Sequence, residues 1–219
     1  MASSPPERPS ETHAPAALSA CGAAASAGAL ERALADARLL VLDVDGTLTD
    51  GRVAYLGDEE LAVFHVHDGQ GLVWLREAGL QLAWISGRGS RAVERRAREL
   101  GVRELFLRAG DKGRVLAELQ QRLDLAPRHT LAMGDDLPDL AFAARAALFV
   151  APSNARPEVR ARAGLVTAAA GGAGAVRELA ERILAVRGLW QGLLDREGRR
   201  TAPVPVLGPV PGPAPGAAE

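Results

Sequence analysis

The run Leu39-Leu40-Val41-Leu42-Asp43-Val44-Asp45-Gly46-Thr47 decides the fold. Its first half is apolar without alternation, the pattern of a strand buried on both faces. It stops on two carboxylates and a glycine. Working outward, the same design recurs. Leu80–Ile85 is apolar and stops at Ser86-Gly87, and Thr130–Met133 stops at Gly134-Asp135-Asp136. Shorter apolar runs lie at Leu105–Leu107, Ala147–Val150 and Leu165–Thr167. Helical spacing fills the gaps. Ser90–Leu100 has Ser90 as a cap. Gly113–Leu123 carries Val115, Leu116, Leu119 and Leu123, and Ala175–Val186 carries Val176, Leu179, Ile183 and Leu184.

Strand alternating with helix predicts an α/β protein, a Rossmann-like parallel sheet with helices on both faces. Such sheets bind ligands at the carboxyl ends of their strands. Asp43/Asp45, Ser86/Gly87 and Gly134/Asp135/Asp136 are therefore expected on one rim. One segment breaks the alternation. Arg52–Leu56 and Leu61–Val66 alternate apolar and polar residues around Gly57-Asp58-Glu59-Glu60, which predicts a β-hairpin inserted after the first strand. A helix over Gly69–Ala78 follows.

The 219 residues are 47% hydrophobic and 24% charged, which suits one sizeable core. The formal net charge of -1 and the 4% aromatic content argue against nucleic acid as a partner. The single Cys21 excludes an intrachain disulfide and fits a cytoplasmic protein. Leu18-Ser19-Ala20-Cys21 resembles a lipoprotein cleavage box. Pro5, Pro6, Pro9, Pro15, Glu7, Arg8 and Glu11 interrupt the stretch that a signal peptide needs. No run approaches the ~20 apolar residues of a membrane span. Residues 1–36, rich in Ala, Pro and Ser, read as a disordered leader that ends in a short helix near Leu30–Ala37. Residues 188–219 read as a Pro/Gly-rich tail in which Trp190, Leu193 and Leu194 can dock. The working domain is then 37–187.

Asp43 and Asp45 repel each other at one strand end, so a cation or a shared proton is expected between them. A few carboxylates in an oxygen-rich site suit Mg2+, with Asp135 as a ligand from another strand. The calcium-loop pattern fails, because its glycine and glutamate positions fall on Leu48 and Ala54. A carboxylate can attack phosphorus to give an aspartyl-phosphate. Lys112 is the natural second cation. Ser86 offers a hydroxyl, and Gly87 lets an oxygen approach the backbone closely. Asp45 can protonate the leaving oxygen and later deprotonate water.

The four-part set Asp43-x-Asp45-Gly46-Thr47, Ser86-Gly87, Lys112 and Gly134-Asp135-Asp136-x-x-Asp139 resembles the haloacid dehalogenase superfamily. Over Leu39–Leu184 the resemblance sharpens. Thr49-Asp50-Gly51, Phe64-His65-Val66-His67-Asp68-Gly69-x-Gly71, Ile85-Ser86-Gly87-Arg88 and Gly171-Gly172-Ala173-Gly174-Ala175-Val176-Arg177-Glu178 are similar to the cap-less 3-deoxy-D-manno-octulosonate 8-phosphate phosphatases. The resemblance implies a Mg2+-dependent phosphatase of lipopolysaccharide biosynthesis. Asp43 is the implied nucleophile and metal ligand. Asp45 is the acid/base, ligating through its carbonyl, and Asp135 is the third protein ligand. Ser86 and Lys112 hold the phosphoryl group. Asp45, His65, Val66, His67, Asp68, Gly69, Gly87, Arg88, Arg96 and Lys112 are the implied substrate residues. The resemblance also implies no cap domain and a homotetramer built on the hairpin, whose Val53, Tyr55, Leu61, Val63 and Phe64 are apolar. Two positions depart from the pattern. His67 stands where arginine is usual, and Ala173 where a basic residue is common. Both remove positive charge from the substrate side, which leaves a related nonulosonate 9-phosphate as the alternative substrate.

Blander readings compete. His65 and His67 are expected on one strand face, as a plain pair rather than a zinc site, with no cysteine or third histidine near in sequence. Arg91, Arg95 and Arg98 read as a solvated helix face. Asp136 and Asp139 can cap the next helix, with Asp139 supporting the site from behind. A phosphomutase needs a cap that the spacing leaves no room for. A non-catalytic tetramerisation domain has no use for all four motifs.

Overall fold

The computed structural model describes residues 27–200. Cys21 and the Pro-rich end lie outside the described residues. Six strands form one parallel sheet: β1 (Leu39–Leu42), β4 (Gln81–Ile85), β5 (Glu104–Phe106), β6 (Thr130–Met133), β7 (Leu148–Ala151) and β8 (Leu165–Val166), in the order β5-β4-β1-β6-β7-β8. Each half of the sheet runs outward from the centre, so the chain reverses direction beside β1. A ligand crevice is expected there, at the carboxyl ends of β1 and β6.

Alternate residues of each strand serve opposite faces. Leu40, Leu42, Leu82, Trp84, Leu131 and Met133 join one core. It is covered by α1 (Ala27–Asp36), α2 (Val66–Glu77), α3 (Arg91–Leu100), α7 (Ala175–Val186) and α8 (Trp190–Arg200). Leu39, Val41, Ala83, Ile85 and Ala132 join the other, under α4 (Lys112–Arg122), α5 (Leu140–Ala143) and α6 (Pro157–Arg160). Burial on both faces explains the unbroken apolar runs. Ser90 accepts from the Val93 N–H and starts α3 as expected. Asp111 does the same for α4 through the Arg114 N–H at 2.9 Å, which sets Lys112 in the first turn.

The hairpin is real but shorter and in another register. β2 (Ala54–Leu56) pairs with β3 (Glu59–Leu61), with Leu56 opposite Glu59. Gly57 adopts φ +60°, so two residues close the turn and Glu59 and Glu60 join the ladder. The chain then leaves the sheet because Phe64 is drawn into the core, where it stacks on Trp84 at 6.2 Å. Consequently α2 begins at Val66 rather than Gly69. His65 is its N-cap and His67 lies in its first turn, so the two histidines do not share a strand face. Their rings meet edge-on, 5.0 Å apart.

The packed unit also reaches beyond 37–187. Residues 27–36 are helical and bury Leu34. In α8, Leu193 is buried and Trp190 meets the Trp74 ring at 5.9 Å. Among the described residues no segment forms a cap domain. The hairpin and α2 are the whole insertion between β1 and β4.

Candidate active site

Four elements bring the site together. Asp43 and Asp45 follow β1, Ser86 follows β4, Asp135 and Asp139 follow β6, and Lys112 opens α4. A cleft of about 540 Å3 opens at this edge, lined by Asp43, Asp45, Gly87, Arg88, Lys112 and Asp139. The rim expected from the three polar strand ends is thus formed.

Its centre is a buried ion cluster. Lys112 Nζ donates to Asp43 Oδ1 and to Asp139 Oδ1, each at 2.6 Å. The other oxygen of Asp139 accepts the N–H groups of Asp135 and Asp136 at 3.0 and 3.1 Å. Asp139 is therefore fully engaged, as its supporting role predicts, while Asp136 caps the following turn through the Leu137 N–H. Asp135 accepts from Thr47 Oγ1 at 3.3 Å. It presses against Gly46, where a Cβ would lie 2.1 Å from Asp135 Oδ2.

The charges do not balance. Ligand oxygens of Asp43, Asp135 and Asp139 all lie within 4.8 Å of one another, and Lys112 is the ammonium paired into the group. Burial, then the neighbouring Asp139, push the Asp43 carboxyl well above its usual range, although Lys112 pulls the other way. Burial and Asp139 likewise push Asp135 up to about 6. Burial disfavours the Lys112 ammonium, but Asp43 and Asp139 outweigh it and hold its pKa above the ordinary value. Three carboxylates facing one ammonium leave room for two more positive charges. An all-oxygen donor set with that deficit fits a hard divalent cation such as Mg2+. Asp43 and Asp135 have more free oxygen capacity for it than Asp139, which already accepts three hydrogen bonds.

Asp45 points elsewhere. Its Oδ2 accepts from Ser86 Oγ at 3.1 Å, and its Oδ1 lies 3.9 Å from Arg88 Nε. Ser86 Oγ also accepts the Arg88 N–H at 3.0 Å. Arg88 in turn holds Glu60 of the hairpin at 2.8 Å. This carboxylate is free of the ion cluster and faces the cleft, as a proton donor requires.

The remaining expected substrate residues form a second group outside that cleft. His65, Val66, His67, Asp68 and Gly69 open α2. Gly69 lies against Arg96, whose guanidinium would have to move to admit a Cβ 2.2 Å away. Arg96 is partly exposed, pairs with Glu99 and lies 6.0 Å from the Phe64 ring. Asp68, expected among the substrate residues, is held by backbone of another element. It is 1% exposed, and its oxygens accept the Gly174 and Arg177 N–H groups at 3.3 and 2.7 Å. Asp68 therefore ties α2 to the start of α7. Burial raises its pKa even against those two hydrogen bonds. Among the described residues no group of three metal-binding side chains includes His65 or His67.

Sequence reading gave no role to Thr47, Thr49, Asn154 or the Gly171-Gly172 turn. The turn lies directly on the loop after β1: a Cβ on Gly171 would sit 1.8 Å from the Gly46 carbonyl oxygen. The paired glycines were the available signal, but their partner is backbone, which leaves no complementary side chain to recognise.

Comparison with known proteins agrees with this geometry. Residues 104–179 match the haloacid dehalogenase-like hydrolase model. The chain is 38% identical to the 3-deoxy-D-manno-octulosonate 8-phosphate phosphatase KdsC of Escherichia coli (strain K12) over 182 residues, 82% of this chain and 94% of that protein. The phosphatase of the same name from Moraxella catarrhalis, solved in complex with magnesium ion, phosphate ion and KDO, superposes with a TM-score of 0.75. It is 35% identical over 77% of this chain and 97% of that one. The Yersinia pestis phosphatase gives a TM-score of 0.72 at 37% identity, over 75% and 89% of the two chains. With near-complete coverage of such relatives and the carboxylate–lysine cluster at its strand ends, this chain belongs to the 3-deoxy-D-manno-octulosonate 8-phosphate phosphatase family of haloacid dehalogenase-like hydrolases.

Proposed function

We propose that this protein is a Mg2+-dependent, cytoplasmic phosphatase that hydrolyses 3-deoxy-D-manno-octulosonate 8-phosphate, in lipopolysaccharide biosynthesis, through an aspartyl-phosphate on Asp43. The observation that carries the reading is Lys112 Nζ at 2.6 Å from Asp43, inside a carboxylate group that includes Asp135. Asp43, Asp135 and the Asp45 carbonyl hold the metal. Bound Mg2+ neutralises charge that would otherwise keep carboxylate and phosphate apart.

In the first step an Asp43 oxygen bonds to phosphorus and the bond from phosphorus to the sugar oxygen breaks. Asp45 gives its proton to that leaving oxygen. In the second step Asp45 takes a proton from water, the water oxygen bonds to phosphorus, and the bond to Asp43 breaks to release phosphate. Ser86 and the Lys112 ammonium hold the phosphoryl oxygens throughout. His65, His67, Arg88 and Arg96 face the sugar-acid carboxylate, with Val66, Gly69 and Gly87 contributing backbone. Asp68 serves by fixing that stretch to α7.

A single chain leaves the substrate side open. Tyr55, Leu56, Val63 and Val66 are 67, 71, 78 and 75% exposed on and beside the hairpin. A cluster of this kind marks a docking surface, and we assign it to a homotetramer in which neighbours wall the site. The test is phosphate release by purified protein, with and without Mg2+, across octulosonate 8-phosphate, nonulosonate 9-phosphates and neutral sugar phosphates. Fastest turnover is expected on the octulosonate. Preference for a nonulosonate replaces the substrate, and no magnesium-dependent release from any of them rejects the phosphatase reading.

A further inference from the structure

Gly46 follows the acid/base Asp45 and adopts φ +87°. Glycine moves freely between backbone regions, so a glycine at this position fixes Asp45 only if its own peptide groups are held. They are held. The Gly46 N–H donates to Thr49 Oγ1 at 3.4 Å, and its carbonyl accepts from Asn154 Nδ2 at 3.4 Å. Asn154 Oδ1 accepts the Gly171 N–H at 2.7 Å. Amide chemistry forces this orientation, because Gly171 can only donate and the Gly46 oxygen can only accept. The Gly172 N–H completes the clamp by donating to the Thr47 carbonyl at 3.1 Å. Asn154 comes from the loop after β7 and does not line the cleft.

We infer that Asn154 is a positioning residue: its carboxamide bridges the Gly171 turn to the Gly46 carbonyl and so keeps the Asp45 carboxylate aligned for proton transfer. The inference rests on the reading of Asp45 as the acid/base. It predicts a defect that depends on the leaving group. A sugar alkoxide needs a proton from Asp45, whereas nitrophenolate, a weak base, leaves without one.

The experiment compares kcat/KM on octulosonate 8-phosphate and on p-nitrophenyl phosphate for wild type, Asp45→Ala, Asn154→Ala, Asn154→Asp and Gly171→Ala. This constant reports the steps through aspartyl-phosphate formation. Asn154→Ala should lose about tenfold on the sugar phosphate, the scale of partly misplaced acid catalysis, and less than about twofold on p-nitrophenyl phosphate. Asn154→Asp keeps the acceptor for Gly171 but not the donor to Gly46, and should share the selective loss. Gly171→Ala, whose Cβ would meet the Gly46 backbone at 1.8 Å, displaces the whole loop and is the control that should lose activity on both substrates. Equal losses on both substrates in Asn154→Ala, no loss there, or full recovery in Asn154→Asp would overturn the inference. Asp45→Ala separates the two levels. If it is selective and Asn154→Ala is not, the positioning role falls and the mechanism stands. If Asp45→Ala is itself unselective, the acid/base reading falls.

Discussion

The rim at the ends of β1 and β6 and the hairpin β2–β3 with the start of α2 are neighbours with opposite designs. At the rim, Asp43, Ser86, Lys112 and Asp139 are all buried, and each has a partner fixed by the fold. At the hairpin, Tyr55, Leu56 and Val63 are largely exposed, and Arg88 ties the strand pair to the site through Glu60 and Tyr55. The contrast separates two tasks. On the proposed reading, one chain carries the groups for phosphoryl transfer, and discrimination of the sugar falls to surfaces that a second copy would complete.

Removing the metal should have the largest effect. Chelation should reduce turnover to background, and added Mg2+ should restore it. Magnesium at a hundredfold excess over its Kd should stabilise the fold by about 2.7 kcal/mol. The metal-free protein should also respond to pH. Asp135 binds its proton more tightly when folded, up to about 6 against 3.8. Stability should therefore fall as pH rises from about 4 through 6, and magnesium should flatten the slope. A thermal melt series with and without Mg2+ checks both signs.

Lys112→Met comes next. It leaves Asp43 and Asp139 buried without their ammonium, which should cost about 3–5 kcal/mol in the metal-free protein. It should lower kcat by about 10²–10³, the scale of a lost electrostatic contact to the transition state. Urea titration and steady-state kinetics measure the two. An unchanged kcat would show that the cluster is only structural.

Charging the hairpin should matter less. Tyr55→Glu with Val63→Glu should dissociate the assembly, seen by sedimentation. Turnover of the sugar-acid phosphate should drop about tenfold, as expected when loss of the wall misplaces substrate, with p-nitrophenyl phosphate nearly unaffected. Equal loss on both substrates would deny the separation of tasks. The smallest change is expected from His67→Arg. A permanent, forked cation at the start of α2 should lower KM for a carboxylate-bearing substrate a few-fold at pH 8 and leave kcat unchanged.

How far these regions were legible in the sequence follows the same division. The runs that became β6 and α7 were read to the residue, because burial on both faces or on one stripe writes itself into apolar spacing. The proposed catalytic residues are legible because their chemistry calls for polar and charged side chains at strand ends and at one helix start. The hairpin register was not, since its alternation fits several pairings and a single positive-φ glycine chose between them. The start of α2 was misjudged because Phe64 answers to a distant Trp84. α8 looks like tail in the sequence because it is mostly polar; Trp190 and Leu193 pack it against the core and Arg196 pairs with Glu77. Asp68 and Asn154 act on backbone groups of remote loops, and no local pattern announces such a partner.

The proposed mechanism requires that Asp43 becomes phosphorylated during turnover. p-Nitrophenyl phosphate, whose leaving group needs no proton from Asp45, can be mixed with the Asp45→Asn variant, in which hydrolysis of the intermediate should be slow. Acid quenching, borohydride reduction and peptide mass spectrometry then locate any acyl-phosphate. Reduction is expected at Asp43 and nowhere else, absent without substrate and absent in Asp43→Asn, which should also be inactive. Turnover by Asp43→Asn, or an acyl-phosphate on a different carboxylate, would contradict it.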